Sequence, residues 1–360
     1  MPIATRWWPE MDSRPNAIYT HARRTPGPLR VGFVPLVHAA PLLAAHHLGL
    51  YSRHGIDVRL SQEVGWATIR EKILGGDLDA AQALAPMPIA MSLGLNSARC
   101  DCLTALVLNL HGDTVILSRR LWRESSGNPA ELRGPRHADG DPLTFGIVYP
   151  HSAQAFVLRQ WLGQAGLVPD IDYRLVVVPP QQMVAHLKAG HIDGGCVGEP
   201  WGSLAVRTGV GVIAALSADL APGHAEKVLL VRRSFAEQHP AEHRALVASL
   251  LEACAWCANP DHHDQVIALL ASRHGLATQP EIFRPAVTGH FDLGDGRSAH
   301  RPDALVFHGP GVNAPTVQRA TWLAGHLGID LTRVCLQSLF RLDLFEAALT
   351  NPTAPILSPV

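Results

Sequence analysis

Residues Val176–Trp201 read VVVPPQQMVAHLKAGHIDGGCVGEPW, and this stretch decides the fold. It opens on the β-branched run Val176–Val178, which is typical of a buried strand. Two prolines end that strand, and the next residues predict a helix that stops at Gly190, where a helix C-cap is expected. A second short strand follows over Ile192–Val197. Strand, helix and strand with short connections predict a βαβ unit whose two strands run parallel.

The carboxyl ends of this unit are the expected place for a ligand. Open parallel sheets bind ligands in the crevice beyond the carboxyl ends of their strands. Pro179–Gln182 and Gly198–Trp201 follow the two strands, so both segments should face a cleft. Four of their residues are expected to line it: Pro179, Gly198, Glu199 and Pro200.

A similar design occurs earlier in the chain. Leu29–Pro35 and Ile56–Leu60 read as strands, and Ala39–Leu48 and Trp66–Leu74 read as helices. Gly75–Gln82 then repeats the logic of the later stretch, because a helix ends on glycine, an aspartate turns the chain and a small-residue strand reaches a polar residue. Two copies of one design predict two similar lobes that face each other.

The order of the remaining segments predicts how the lobes are assembled. Residues 1–28 look like an irregular extension, residues 29–115 and 229–360 form the first lobe, and residues 116–228 form the second. The chain therefore crosses twice between the lobes, which makes a hinge. We expect an α/β, two-lobe fold of the periplasmic-binding-protein type (type II) with a ligand cleft between the lobes. Residues 284–315 read as a long surface segment, because glycine, proline and charge increase there.

Composition excludes several function classes. The chain has 360 residues, 17% of them charged, and a net charge of −1, so no basic excess favours direct nucleic-acid binding. No run of eighteen apolar residues indicates a membrane span. Residues 1–28 lack the apolar core of a secretory signal, which predicts a cytoplasmic protein. The six cysteines fit that compartment as free thiols, including the Cys254 and Cys257 pair inside a helical pattern.

Polar residues at strand and helix edges carry the predicted site. Trp66 starts a helix, Gln82 follows a small-residue strand, Gln154 opens a second-lobe helix, and Lys227 precedes the returning strand. An indole N–H, two amides and one ammonium form a donor-rich pocket with one positive charge. The helix N-termini at Trp66 and Gln154 add positive dipole ends. This set predicts binding of a small anion, and Arg70 is a further residue expected at the cleft.

Each of these residues also fits an ordinary role when taken alone. Trp66 suits a core, Gln82 could cap a strand, and Lys227 could be a solvated surface lysine. The sequence contains no phosphate-binding glycine loop and no common hydrolase or metalloprotease motif. Cys196 is the nearest candidate nucleophile, but it lies in an apolar strand without an evident base. We therefore expect no enzyme.

Several segments together resemble the nitrate/bicarbonate-binding family of solute-binding proteins, over about residues 29–300. The combination of PPQQMV at Pro179–Val184 with CVGEPW at Cys196–Trp201 is highly specific. Further matching runs are Gly32–Leu36, Ala40–Leu42, Trp66–Arg70, Asp79–Gln82, Pro86–Pro88, Glu226–Lys227 and Phe291–Arg297.

The resemblance implies roles for individual residues. Nitrate in the transporter members is held by a tryptophan, a glutamine, a histidine and a lysine, which fall on Trp66, Gln82, Gln154 and Lys227. Gln154 departs from the histidine, which keeps a donor and removes a titratable ring. Bicarbonate binding in this family can involve calcium, but Lys227 favours an anion without a metal. His38 stands where some relatives have a carboxylate, so we expect no metal and no cofactor.

The absence of a signal makes the chain resemble the cytoplasmic sensor branch of the family, the NasS-type nitrate/nitrite sensors. This resemblance implies a partner, an RNA-binding antiterminator with an ANTAR domain (NasT-type), which is released when nitrate or nitrite binds. The region from Val317 onward or residues 1–28 could supply the partner surface. The alternative is a solute-binding component of an ABC transporter for nitrate or bicarbonate. A third reading is an enzyme on the same fold.

Overall fold

Two mixed β-sheets flanked by helices make up the protein. The computed structural model describes residues 27–133, 140–272 and 275–350. Most of the extension at residues 1–28 lies outside the described residues. Among those described, no helix is both long enough and apolar enough to span a bilayer. The predicted α/β class is confirmed.

Thirteen strands are present in the described residues. They are β1 Leu29–Phe33, β2 Val58–Gln62, β3 Ala80–Leu84, β4 Cys102–His111, β5 Asp113–Ser118, β6 Leu143–Ile147, β7 Tyr173–Val177, β8 Gly194–Gly198, β9 Gly211–Leu216, β10 Ala225–Arg232, β11 His290–Asp292, β12 Ser298–His300 and β13 Leu305–Val306.

The described α-helices vary from one turn to five. They are α1 Ala40–His47, α2 Leu50–Arg53, α3 Trp66–Gly75, α4 Met87–Leu93, α5 Arg119–Glu124, α6 Ala153–Gln164, α7 Met183–Lys188, α8 Trp201–Arg207, α9 Ser217–Leu220, α10 Arg233–Gln238, α11 Pro240–Ala258, α12 His263–Ala271, α13 Arg284–Thr288, α14 Val317–His326, α15 Leu336–Leu339 and α16 Leu342–Thr350.

The first sheet has six strands in the order β13-β4-β10-β3-β1-β2. Strands β1, β2 and β3 pair in parallel, whereas β10 is antiparallel to both β3 and β4. Every residue of β3, β4 and β10 is buried, as expected for central strands with both faces covered. The long helix α11 packs against α1 and β4 and completes this lobe.

The second sheet has five strands in the order β7-β6-β8-β5-β9. Strand β6 pairs in parallel with both β7 and β8, so the strands of the Val176–Trp201 unit are parallel, as predicted, with β6 between them. The expectation of a fully buried first strand is wrong. Strand β7 lies at the sheet edge, and Val177 is 57% exposed there.

The chain passes between the sheets twice. It leaves the six-stranded sheet after β4, turns at Gly112 and enters the other sheet at β5, and it returns between β9 and β10. The predicted division at 115/116 and 228/229 falls inside β5 and β10, a few residues after each change of sheet. The lobes are described below by their sheets.

Residues 284–315 are more ordered than the expected surface segment. They contain α13, the β11–β12 hairpin and β13, which adds an edge strand to the six-stranded sheet beside His111 and Leu110. Phe291 and Phe307 are buried within this region. Glycine and proline content indicated turns correctly, but the short strands between the turns carry too few residues to show a pattern.

Candidate functional site

The two sheets meet where the chain crosses between them. The Val37 N–H of the first lobe donates to the Glu199 carbonyl of the second at 3.0 Å. Nearby, His38 lies fully buried, with its Nε2 atom 3.9 Å from Asp113 Oδ1. Gly198 allows this close approach, because a Cβ there would lie 2.9 Å from His38 Cε1. The junction is therefore closely packed and lined by polar groups.

Trp66 lies at this junction, at the first position of α3. Gly65 precedes it in extended backbone, which lets the helix begin with its N-terminus toward the second lobe. The side chain is 1% exposed, and Nε1 has no hydrogen-bond partner within the part of the chain that the structure describes. A buried indole N–H normally has an acceptor. The missing acceptor indicates a ligand position.

Gln82 offers a second donor. It lies in β3 opposite Leu229 of β10, and its Oε1 accepts the Val34 N–H at 3.1 Å. This contact fixes the amide so that Nε2 is the free end. Nε2 is buried and meets no acceptor among the described residues.

Lys227 supplies the positive charge. It lies in the central strand β10 and its side chain is completely buried, so it is not a solvated surface lysine. Its ammonium donates to Glu226 Oε1 at 2.5 Å and lies 5.3 Å from the centroid of the Trp66 ring. The structure thus brings two of the predicted residues together directly.

Gln154 joins the same cluster from the second lobe. It lies in the first turn of α6, whose N-cap Ser152 accepts the Ala155 N–H at 3.0 Å. Its Nε2 donates to Asp113 Oδ1 at 2.6 Å, while its buried Oε1 has no partner within the described chain. The amide is therefore held by Asp113, and its acceptor end is the free one.

Asp113 and Glu226 are functional candidates that the sequence analysis missed. Both are buried, and burial followed by the charge of Glu226 raises the pKa of Asp113 well above its usual value. Asp113 directly follows the crossover glycine, which was a visible signal. Glu226 was hidden by strand alternation, since neighbours in a regular strand face opposite sides. Register shifts on both sides of Lys227 in the β10–β4 pairing break that alternation.

Three buried histidines surround these carboxyls. His224 Nε2 lies 3.3 Å from Glu226 Oε2, although the two groups are not aligned for a hydrogen bond. Burial lowers the pKa of His38 and of His224, and it lowers that of His111 to about 4. All three rings are accordingly neutral near pH 7 and add no positive charge.

The residues expected along the cleft lie in different settings. Arg70 donates from Nη1 to the Tyr149 hydroxyl at 3.1 Å, which links α3 to the loop after β6 in the other lobe. Glu199 is buried and accepts from the Thr114 hydroxyl at 3.1 Å, and burial raises its pKa to about 7. Gly198 and Pro200 are also buried, whereas Pro179 is exposed.

We tested whether this cluster suits calcium. Ligand atoms of Asp113, His224 and Glu226 lie within 4.8 Å of one another. Calcium takes six to eight oxygen ligands, whereas this set offers an imidazole nitrogen and only two carboxyls. The Lys227 ammonium, in contact with Glu226, already supplies a cation. The residues do not fit calcium, and a metal-free site stays a prediction.

Cys196, the candidate nucleophile, is unsuited to catalysis. It is completely buried in β8, and burial together with the charges of Asp113 and Glu226 raises the pKa of its thiol. A thiol needs to ionise to act as a nucleophile. All other cysteines within the described ranges are also free, and only Cys335 is exposed.

Comparison with known proteins gives one consistent picture. A family model described as the NMT1-like family matches residues 23–271. The nitrate import ATP-binding protein NrtC of Synechocystis sp. is 36% identical over 331 residues, which cover 89% of this chain and 49% of that protein. The nitrate/nitrite binding protein NrtA of Synechococcus elongatus is 30% identical over 342 residues, covering 88% of this chain and 76% of that protein. The chain spans about half the length of the ATP-binding relatives it matches.

Solved structures show the same architecture. The periplasmic nitrate-binding protein NrtA from Synechocystis PCC 6803 superposes with a TM-score of 0.85 at 25% identity, covering 89% of this chain and 88% of that one. The aliphatic sulphonate binding protein SsuA from Escherichia coli shares the fold, with a TM-score of 0.64 at 16% identity. The predicted periplasmic-binding-protein-like fold is confirmed.

Proposed function

This chain belongs to the NMT1-like family, among the nitrate- and bicarbonate-binding proteins, and on that premise we propose that it binds nitrate or nitrite between its two lobes. The family consists of binding proteins, and the chain is not an enzyme, as the sequence predicted.

One observation carries the proposal: two buried donors without acceptors lie in the cluster around a buried ammonium. Trp66 Nε1 and Gln82 Nε2 are the donors, and Lys227 is the cation. A buried polar atom without a partner costs about 1–3 kcal/mol. An oxyanion that accepts from both groups recovers that cost and balances the lysine charge.

The test is calorimetric titration of the full chain with nitrate, nitrite, bicarbonate and sulfate in the presence of a metal chelator. We expect one nitrate or nitrite per chain with micromolar affinity and much weaker binding of sulfate, whose extra charge the single lysine does not balance. Binding of bicarbonate alone, and only after calcium is added, contradicts the proposal.

We propose further that the bound anion acts as a signal. A ligand that prefers the closed arrangement shifts the equilibrium between open and closed lobes, and a partner that reads one state responds to it. The proposed partner is an ANTAR-domain (NasT-type) antiterminator, and the proposed compartment is the cytoplasm. Size-exclusion chromatography of the two purified proteins tests this idea. We expect a complex without nitrate that dissociates when nitrate is added, and co-elution that nitrate leaves unchanged contradicts it.

A transport role is the second candidate, favoured by the similarity to NrtA, a binding protein, and to NrtC, an import ATP-binding protein. In that role the closed, loaded chain would dock on membrane transport subunits. Stimulation of their ATPase activity by the nitrate-loaded chain, with no effect on an antiterminator, would select it.

A further inference from the structure

The buried cluster carries more negative charge than an anion site should. Asp113 and Glu226 are both buried and face a single ammonium, that of Lys227. If both carboxyls are ionised, the three groups sum to one negative charge before any ligand arrives. Burying a further anion beside that excess is strongly unfavourable, because unbalanced charge is poorly screened in a protein interior.

We propose that the site binds its anion together with one proton, held between the carboxyls of Asp113 and Glu226. The inference rests on the proposed function and adds a second, obligatory ligand to it. With the proton bound, the protein groups are neutral overall, and the anion brings the only remaining charge of the set.

The geometry favours this pair as the proton site. A carboxyl oxygen of Asp113 and one of Glu226 lie within 4.8 Å of each other, and neither Asp113 Oδ2 nor Glu226 Oε2 has a hydrogen-bond partner among the described residues. Two neighbouring carboxylates in one site do not both stay ionised readily, because like charges repel. A shared proton turns one acceptor into a donor, which can then reach the other carboxyl or the bound anion.

The neighbouring elements offer no better place for the proton. The facing groups come from the segment before α1, from β4, from β8 and its end, and from β10 with the loop before it: His38, His111, Cys196, Glu199, His224 and Lys227. Burial keeps the three histidines neutral, and the charge of Lys227 also disfavours protonation of His38 and His224. Glu199 is instead stabilised as an anion by hydrogen bonds from Thr114 and Ser203.

The sign of the linkage follows directly. A bound anion disfavours negative charge nearby, so it raises the pKa of the Asp113–Glu226 pair and draws in a proton. Affinity for nitrate should therefore rise as the pH falls. Where the free protein is unprotonated and the complex is protonated, Kd should change by about tenfold per pH unit.

Calorimetry measures this proton directly. Nitrate is titrated into the full chain in Tris and in Bis-Tris at matched pH, since cationic buffers introduce no competing anion and differ in ionisation enthalpy. The difference in apparent binding enthalpy gives the number of protons taken up per nitrate. We expect close to one proton near pH 8, together with the rise of Kd with pH. Normal nitrate binding with no proton uptake and a flat Kd overturns the inference and leaves the proposed function standing, whereas no nitrate binding at any pH overturns both.

Three variants locate the proton. Asp113→Asn and Glu226→Gln should each abolish the uptake and flatten the pH profile, and either one suffices if the other does not fold. Glu199→Gln is the matched control, because it removes a buried carboxyl outside the pair, and its proton uptake should persist. Loss of uptake in Glu199→Gln alone moves the proton to Glu199 and overturns the assignment. Uptake replaced by a requirement for added calcium overturns it as well.

Discussion

The Lys227 ammonium lies 5.3 Å from the centroid of the Trp66 ring, with both side chains buried. Trp66 comes from a helix of the first lobe and Lys227 from the strand along which the chain returns from the second. Their contact brings an indole N–H and a positive charge to one point between the sheets. The predictions below test the consequences of this arrangement.

Lys227→Met should abolish nitrate binding and also destabilise the fold. Removing the ammonium leaves Glu226 buried without its partner, and breaking a buried ion pair in this way costs about 3–5 kcal/mol. The double variant Lys227→Met with Glu226→Gln should regain most of that stability without regaining affinity. Urea unfolding and calorimetry measure the two effects separately. Lys188→Met, which removes an exposed lysine, serves as the control, and equal loss of affinity in that variant would argue against the site.

Trp66→Phe should weaken nitrate binding by roughly fivefold to tenfold, because it removes one hydrogen-bond donor, worth about 1 kcal/mol, and keeps an aromatic ring. It should also remove the change in tryptophan fluorescence on nitrate addition. Trp256→Phe, at a tryptophan stacked on His262 far along the chain, should retain that change. A full nitrate response in Trp66→Phe contradicts a ligand contact by Trp66.

Tyr149→Phe should speed nitrate release. The hydroxyl accepts a hydrogen bond from Arg70 across the lobes, so its loss destabilises the closed form by about 1 kcal/mol. Stopped-flow fluorescence should show a dissociation rate roughly fivefold higher with little change in association. Tyr51→Phe removes a hydroxyl bonded within one lobe and should leave both rates unchanged. Identical kinetics in Tyr149→Phe would show that the contact does not hold the lobes together.

Gly198→Ala should lower affinity while the protein still folds. The added Cβ would lie 2.9 Å from His38 Cε1 and 3.2 Å from Asp113 Oδ1, so the lobes must separate slightly to admit it. Overpacking of this kind costs about 1–3 kcal/mol, which corresponds to at least fivefold in nitrate Kd if the cost falls on closure. Gly163→Ala on α6, where a Cβ meets nothing, should bind normally. Unchanged affinity in Gly198→Ala would place closure elsewhere.

His243 should make stability fall in acid. Burial, and then the charge of Arg341, lowers its pKa from 6.5 to about 4 in the fold, so the unfolded chain takes up the proton first. The stability it contributes is complete above about pH 6.5 and is lost as the pH falls towards about 4. Between about pH 7 and pH 5 this amounts to about 2 kcal/mol, measured by urea unfolding. His243→Phe should lack that portion of the loss, whereas His47→Phe at an exposed position should keep it.

The sequence predicted the parts of the fold that depend on local patterns. The strands around the site and the helices that begin at Trp66 and near Gln154 follow from hydrophobic periodicity, proline stops and glycine caps. The identity of the anion-binding residues came from the resemblance to a family, since Lys227 alone reads equally well as a surface lysine.

The sequence did not predict the features that arise only when distant strands meet. Asp113 looked like part of a polar turn, and Glu226 should face away from Lys227 in a regular strand. The register shifts in β10 bring both into the cluster, and nothing local in the sequence encodes them. Similarly, Val177 is apolar and β-branched but lies at a sheet edge, because sheet order is set by the whole lobe.

The most direct test of the central claim is a crystal structure of the full chain with nitrate. The account predicts one nitrate between the lobes, within hydrogen-bond distance of Trp66 Nε1, Gln82 Nε2 and Lys227 Nζ, with the two sheets arranged as described above. A nitrate bound elsewhere, or a calcium ion among Asp113, His224 and Glu226, would contradict the assignment of the site.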